Sequence, residues 1–463
     1  MAATAYGDAM PLLTPFSTVR APGAMVCSAD QLATQAGMAI LARGGNAVDA
    51  AIATNAAIAV TSPHLCGMGG DLFALVHHSD NGAPTVLDAS GRSGSGVSSQ
   101  ALRAEGHTDM PFRHDARTVT VPGCVDGWVA LHERFGSLDL AVILEPAIRL
   151  AEGGFPASPL LVGSLAGLDR AARARVVELI GQARAPGAPV HRPGAGRALR
   201  AVADHGRAGF YEGEVGEGLL AVGAGVFDAD DLARSQADWV TPLGIDAWGH
   251  RLWTVPPASQ GYLTLAGAAI AEGLDLPDDT ADPRWAHLLI EAAIEAGYDR
   301  PTELYEGASG AALLDPERLA ARRSRIDPEH TQRRPLRSYQ DGDTTYLCVI
   351  DANRVGVSLI QSNASGFGSW LVEPGTGINL HNRVSASHSL PATRPSSLPV
   401  AGHRTPSHRR SSPAVTARWR RRSARWAATV SRRSCCSSSP ASWSAERHRR
   451  PPSAPGGGCF ADR

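Results

Sequence analysis

The chain has 463 residues, 43% of them apolar and 19% charged, with a formal net charge of −1, enough for one large or two ordinary globular domains with buried cores. No lysine occurs, so all 44 residues counted as Lys or Arg are arginine, which excludes a Walker-type phosphate loop and a Schiff-base enzyme of the pyridoxal type. The longest apolar run, Ala47 to Val60, is too short to span a bilayer, and no basic start followed by an apolar stretch opens the chain; a cytoplasmic location, reduced cysteines and no membrane partner are the resulting expectations.

Residues 30–60 carry Ala, Ile, Leu and Val at three-to-four spacing, interrupted by Gly44, Gly45 and Asn46. That pattern predicts two packed helices joined by a tight glycine turn. Met68 to His77 follows a glycine-rich loop and reads as a strand. Thr118 to Val121 reads as a further strand stopped by Pro122 and Gly123, with helices over Asp126 to Phe135 and Pro146 to Glu152. The Ala/Arg/Gly-rich middle is irregular, and His287 to Gly297 is helical in pattern. Residues 312–341 are charged, proline-containing and weakly periodic, which predicts mostly surface chain leading to an exposed point just before Asp343. Two strands follow, Thr345 to Asp351 and Val355 to Gln361, around a turn at Ala352, Asn353 and Arg354. Alternating helices and strands of this kind belong to the α/β or α+β class.

At about residue 384 the composition changes. Residues 384–463 hold 15 arginines and two acids, Glu446 and Asp462, whereas the first 383 carry 29 arginines against 43 acids. A basic arm that binds nucleic acid would mix lysine with arginine, but this tail is Arg, Ser, Pro, Trp, His and Cys without apolar periodicity. Out-of-frame translation of GC-rich DNA produces that mixture. Starting each codon at the third base of the one before, suitable synonymous codons from Val384 onward give QRFSLTPGHPAELAPGRRTPH, and from Ala424 onward ALGGDRQPQILLQLVARVLVS. Both read as ordinary protein, so a frameshift after about residue 383 is expected, with an aberrant tail that has no stable fold.

Four ordered blocks resemble the γ-glutamyltranspeptidase (glutathione hydrolase) family: GGNAVDAAIATNAAIAVTSPHLCGMGGDLFALV (44–76), TVPGCVDGWVALHERFG (120–136), EPAIRLAEGGFPAS (145–158) and DTTYLCVIDANRVGVSLIQSNASGFGS (343–369). The resemblance implies an N-terminal-nucleophile hydrolase with an αββα sandwich, made as one precursor and cut into two subunits. Residues 1–343 would be the large-subunit region and 344–383 the start of the small subunit. The family pattern, counted back from Asp351, puts the nucleophile at Thr344 rather than Thr345. It also puts a second hydroxyl that hydrogen-bonds the nucleophile at Ser362, and an arginine that grips the substrate α-carboxylate at Arg92 in LDASGRSGSG.

The chemistry of such a threonine follows from its position. Its hydroxyl is a poor nucleophile at neutral pH, and no His/Asp partner is evident nearby in sequence. Attack by the Thr344 hydroxyl on the Asp343 carbonyl would give an ester that water opens. The freed α-amino group, with a reference pKa of about 8, can then act as general base on the same residue's hydroxyl. The implied activity is hydrolysis or transfer of γ-glutamyl groups from glutathione-type amides to water, amino acids or peptides. No cofactor is called for, and the scattered histidines show no HExxH or paired Cys/His spacing for a metal.

Several positions depart from the family. Ser93 stands where a glutamate usually follows the arginine, Ala364 where an asparagine is usual, Arg383 where a glutamine follows the Asn-Asn pair, and Ala386 where an acid is expected. Recognition of the substrate α-amino group is altered by these changes. The Gly-Gly turn whose N–H groups would hold the oxyanion survives only in the alternative frame, so the chain as written is expected to be impaired. Gly67, Met68, Gly69 and Gly70 read as a closely packed turn rather than a phosphate cradle. Two other functions stay open: a cephalosporin-type acylase of the same fold, and nucleic-acid binding through the arginine-rich tail.

Overall fold

Asp30 opens the first helix, α1 (Gln31–Ala42), by accepting hydrogen bonds from the Leu32 and Ala33 N–H groups at its N-terminus. Gly44, at φ +92°, turns the chain into α2 (Ala47–Thr61), where Asn46 and Asp49 form a reciprocal capping box. All 15 residues of α2 are buried; its alanines keep the helix narrow enough to pass through the centre of the core. Residues 19–79, 82–305, 307–331 and 343–384 are described by this computed structural model. The expectation for residues 385–463 therefore lies outside the described residues, as does the surface chain expected over 332–341.

The strands in chain order are β1 (Met25–Ser28), β2 (Asp71–His77), β3 (Thr85–Ala89), β4 (Phe155–Pro156), β5 (Pro189–Val190), β6 (Asp238–Val240), β7 (Leu243–Ala247), β8 (His250–Thr254), β9 (Thr345–Ile350), β10 (Gly356–Ser362), β11 (Leu371–Glu373) and β12 (Ile378–Leu380). Six form one antiparallel sheet in the order β1-β9-β10-β2-β3-β6. β9 and β10, the last strands of this sheet in chain order, thus lie between strands laid down some three hundred residues earlier. Alternation sends Val26, Leu347, Val349, Val357, Leu359, Leu72, Ala74 and Leu87 into the main core beneath α2. On the opposite face Tyr346 and Ile350 are 41% and 47% exposed. A helical layer and one sheet of the sandwich are present among the described residues.

Two buried polar groups fasten α2 to the rest. At its N-terminus the Ala47 N–H donates to the Asp351 carboxylate at 3.0 Å, from the turn joining β9 and β10. Near its C-terminus the Arg192 guanidinium donates to the Ala59 carbonyl at 3.0 Å and, across the interior, to the Gly377 carbonyl at 3.0 Å. An anion at the N-terminus and a cation at the C-terminus both suit the helix dipole.

A second core, built on Tyr262, Leu265, Ile270, Ala292 and Leu319, holds the lobe made by residues 243–326. Here the sequence reading needs correction: Pro316–Arg323 is a helix whose Leu319 and Arg322 are buried, not surface chain. Thr118 to Val121 is likewise no strand; residues 116–118 form a 3-10 turn and Thr120 makes only an isolated bridge to Ser93. The predicted helices begin earlier than expected, at Cys124, Leu140 and Pro283, and Pro146 lies inside the second of them. The irregular middle contains several short helices, capped by single Ser or Asp residues such as Ser158, Asp169 and Asp228, too brief for a periodic signal.

Candidate active site

Three oxygens meet at the head of the two central strands. The Thr344 Oγ1 lies 2.8 Å from the Asp343 carbonyl oxygen and 2.9 Å from the Ser362 Oγ, which is itself 2.9 Å from that carbonyl. The Ala364 N–H donates to the Ser362 Oγ at 2.8 Å. Two hydroxyl protons cannot fill three contacts at once. Of the assignments that satisfy every group, the one poised for attack has Thr344 donating to Ser362, and Ser362, accepting also from Ala364, donating to the Asp343 carbonyl. That arrangement draws the proton from the Thr344 oxygen while polarising the carbonyl next to it, the two things an attack on the Asp343–Thr344 peptide requires.

Thr345 cannot substitute. Its hydroxyl donates to the Gln361 carbonyl at 3.1 Å and the residue is buried, so it belongs to the strand. Ala364 sits at φ +68°, a left-handed conformation that asparagine adopts far more readily than alanine. The backbone here thus holds a conformation that would suit the asparagine usual at this position.

The sequence missed Asp71. It heads β2 directly opposite Ser362, is wholly buried, and pairs with the Arg383 guanidinium. Burial pushes its carboxyl up to about 6, outweighing Arg383 and the Ser362 N–H, which pull it down. The pair places the Arg383 guanidinium one step from the hydroxyls. A lone Asp starting an otherwise apolar strand, DLFALV, was the available signal. Around it lie other buried polar side chains: Gln361 donates to the Gly67 carbonyl at 2.5 Å, Asn363 and Asn379 both donate to the Pro63 carbonyl, and His381 contacts the Thr120 hydroxyl at 2.8 Å. His64 and His381 are held neutral, each lowered to about 3 chiefly by burial.

Gly69 and Gly70 have a packing role. A Cβ at the first would collide with the Asn379 carbonyl and at the second with that of Ser362, as the reading of this segment as a close turn requires. Arg92 is already paired. Its guanidinium donates to the Ser235 carbonyl at 2.7 Å and the Asp238 carboxylate at 2.6 Å, with both ion-pair partners well exposed. Such a pair is worth only about 0–1 kcal/mol and yields readily to a competing carboxylate. Among the described residues no group of three or more His, Cys, Asp or Glu could hold a metal ion, and no helix is long and apolar enough to cross a membrane.

Strands, helical layer and the hydroxyl pair at the strand head define an N-terminal-nucleophile hydrolase fold. The model of the gamma-glutamyltranspeptidase family matches residues 33–412, and the chain belongs to that family. The glutathione hydrolase-like YwrD proenzyme of Bacillus subtilis is 35% identical, over 78% of this chain and 70% of the relative. The oxamate amidohydrolase proenzyme of Klebsiella pneumoniae is 32% identical, over 78% and 71%. Among solved structures, cephalosporin acylase from Bacillus halodurans superposes with a TM-score of 0.71 at 33% identity, covering 82% of this chain and 74% of that one.

Proposed function

We propose that this chain is the precursor of an amide hydrolase or acyl transferase that cuts itself between Asp343 and Thr344 and then uses Thr344 as its nucleophile. The observation that carries the reading is the closed set of contacts among Thr344 Oγ1, Ser362 Oγ and the Asp343 carbonyl. In maturation the Thr344 oxygen adds to the Asp343 carbonyl carbon, the peptide nitrogen leaves as the α-amine, and water opens the ester to give the Asp343 carboxylate. In turnover that amine takes the hydroxyl proton, the oxygen acquires the donor's acyl group, and the donor's amine departs with the proton. Water or an acceptor amine then releases the acyl group.

The family resemblance favours γ-glutamyl amides of the glutathione type as donors. A second reading, an acylase whose acyl group needs no α-ammonium, is supported by Arg383 and Asp71. The Asp71 carboxylate, on the strand position opposite Ser362, already holds a guanidinium, so it offers an incoming ammonium little. Ala364 lacks the amide of the asparagine usual there. Arg92→Ala separates the two: it should abolish a preference for free α-carboxylates in a γ-glutamyl enzyme and leave an acylase indifferent.

We also infer that the chain as written is impaired, because the expected oxyanion donors fall in the alternative frame after residue 383; loss of one such donor typically costs about a hundredfold or more. The test is to resequence the gene around codon 383 and express both versions. The repaired chain should give two fragments meeting at Asp343 and Thr344 and release p-nitroaniline from a γ-glutamyl or acyl anilide. Thr344→Ala should stay whole and lose roughly a thousandfold or more of the activity. A repaired chain that folds, stays intact and still turns over would end the proposal.

A further inference from the structure

Cys27 on β1 and Cys348 on β9 are direct cross-strand partners. Directly opposed residues of an antiparallel pair have Cα atoms about 4.5–5.5 Å apart, within the span of about 4.4–6.8 Å that a disulfide bridges. Being opposite, the two side chains leave the same face of the sheet, the face that exposes Tyr346 and Ile350. Both thiols are free, Cys27 exposed and Cys348 half-buried.

We propose that Cys27 and Cys348 are a disulfide site that closes when the folded protein meets a low-molecular-weight disulfide. The second half of the idea rests on the processing reading above: a cut before Thr344 leaves Cys27 in the large fragment and Cys348 in the small one, so the bond is a covalent link between subunits, four residues beyond the nucleophile.

The exchange balances without another reactant. The Cys27 thiolate attacks the small disulfide, RSSR, expelling one RS⁻ and leaving a mixed disulfide. The Cys348 thiolate then attacks the Cys27 sulfur and expels the second RS⁻. The two protons lost by the protein thiols are taken up by the departing thiolates, so two protein thiols are oxidised and one disulfide is reduced to two RSH. Cys27, the exposed partner, is the one a solute reaches. Burial, with Cys27 as the next cause, raises the Cys348 thiol. The other described cysteines are poor competitors: burial pushes Cys66 up to about 12 and Cys124 well above the usual thiol range.

The experiment uses the full chain in native buffer, treated with oxidised glutathione or with dithiothreitol, alkylated with iodoacetamide and digested with trypsin. Oxidation should link the peptide Ala21–Arg43 to the peptide that ends at Arg354, and the linked species should vanish on reduction and in Cys27→Ser and Cys348→Ser. Recovery of both cysteines alkylated after oxidation would overturn the proposal. So would the same yield of linked peptide in concentrated urea, since the sheet register would then not be what joins them. Gels without reductant test the second half: cut protein should run as one band that reductant splits in two. Linked peptide from a frame-repaired chain that gives a single band under both conditions would sink the processing reading and leave the disulfide standing.

Discussion

The strip from Asp343 to Val384 and the lobe of residues 243–326 solve opposite problems. In the lobe the interior is apolar apart from Glu291, Glu295 and Arg322, and the other charged side chains pair across the surface, as Arg251 does with Asp246 and Arg284 with Asp282. In the strip Gln361, Ser362, Asn363, Asn379, His381 and Asn382 are all at most 2% exposed. Burying neutral amides and imidazoles weakens a fold unless each finds a partner. A segment that buries so many is organised around the placement of hydroxyls and carbonyls, whereas the lobe is organised around its own stability. Substitutions in the two regions should differ accordingly.

The largest contrast is expected at the buried ion pair. Arg383→Met leaves the Asp71 carboxylate without its cation in a wholly buried site, and breaking such a pair from one side costs about 3–5 kcal/mol. The double change Asp71→Leu with Arg383→Met should cost less than Arg383→Met alone, because no charge is then stranded. Urea unfolding of Arg383→Met, Asp71→Leu and the double variant measures it. Additive losses would mean that the two side chains do not act as a pair.

Next comes Ser362→Ala, which removes the hydroxyl bridging Thr344 to the Asp343 carbonyl and leaves the strand register untouched. Self-cleavage of the repaired chain should slow about a hundredfold, the usual effect of losing one donor to a developing oxyanion, with the unfolding midpoint nearly unchanged. Cleavage at the parental rate would show that Ser362 only neighbours the reaction.

Acid should find the strip before the lobe. His64 and His381 are lowered to about 3 by burial, against about 6.5 in an unfolded chain. Below pH 6.5 the unfolded state gains protons that the folded state refuses, so each histidine removes about 1.4 kcal/mol of stability per pH unit of acidification. Asp71 opposes this. Its carboxyl, raised to about 6, takes a proton in the folded state first and returns a similar slope as pH falls from about 6 to about 4. Between about pH 7 and about pH 5 the net loss is about 3 kcal/mol, and His381→Asn should cut it to under about 1 kcal/mol. A variant with the parental pH dependence would show that His381 is not buried neutral.

Sequence and structure agree where a pattern repeats within one element. The helices of residues 30–60, the strands β2, β9 and β10, and the long lobe helix were legible because apolar residues recur at a helical or strand period. The hydroxyls Thr344 and Ser362 were legible only through the resemblance of the block around them. Asp71 and its pairing with Arg383 were not, because the two lie over three hundred residues apart and no local rule links them. Arg92 illustrates the reverse: the resemblance of its neighbourhood suggested a substrate grip, but nothing local foretold that its guanidinium pairs with Asp238, which lies far along the chain. Short helices in the middle of the chain stayed hidden because single capping residues fix them.

The smallest effect is expected on the lobe's outer surface. The helix Pro283–Gly297 exposes Ile290 at 49% and Ile294 at 38%, and Tyr298 follows at 47%, a stripe at helical spacing turned away from the Leu288 and Ala292 side that joins its neighbours. Ile290 already has half its surface in water, so Ile290→Gln exchanges one solvated side chain for another and loses little helix propensity. The change in unfolding free energy should stay under about 0.5 kcal/mol. A loss several times larger would mean that this stripe is covered in solution and that the lobe, like the strip, is built to hold something against it.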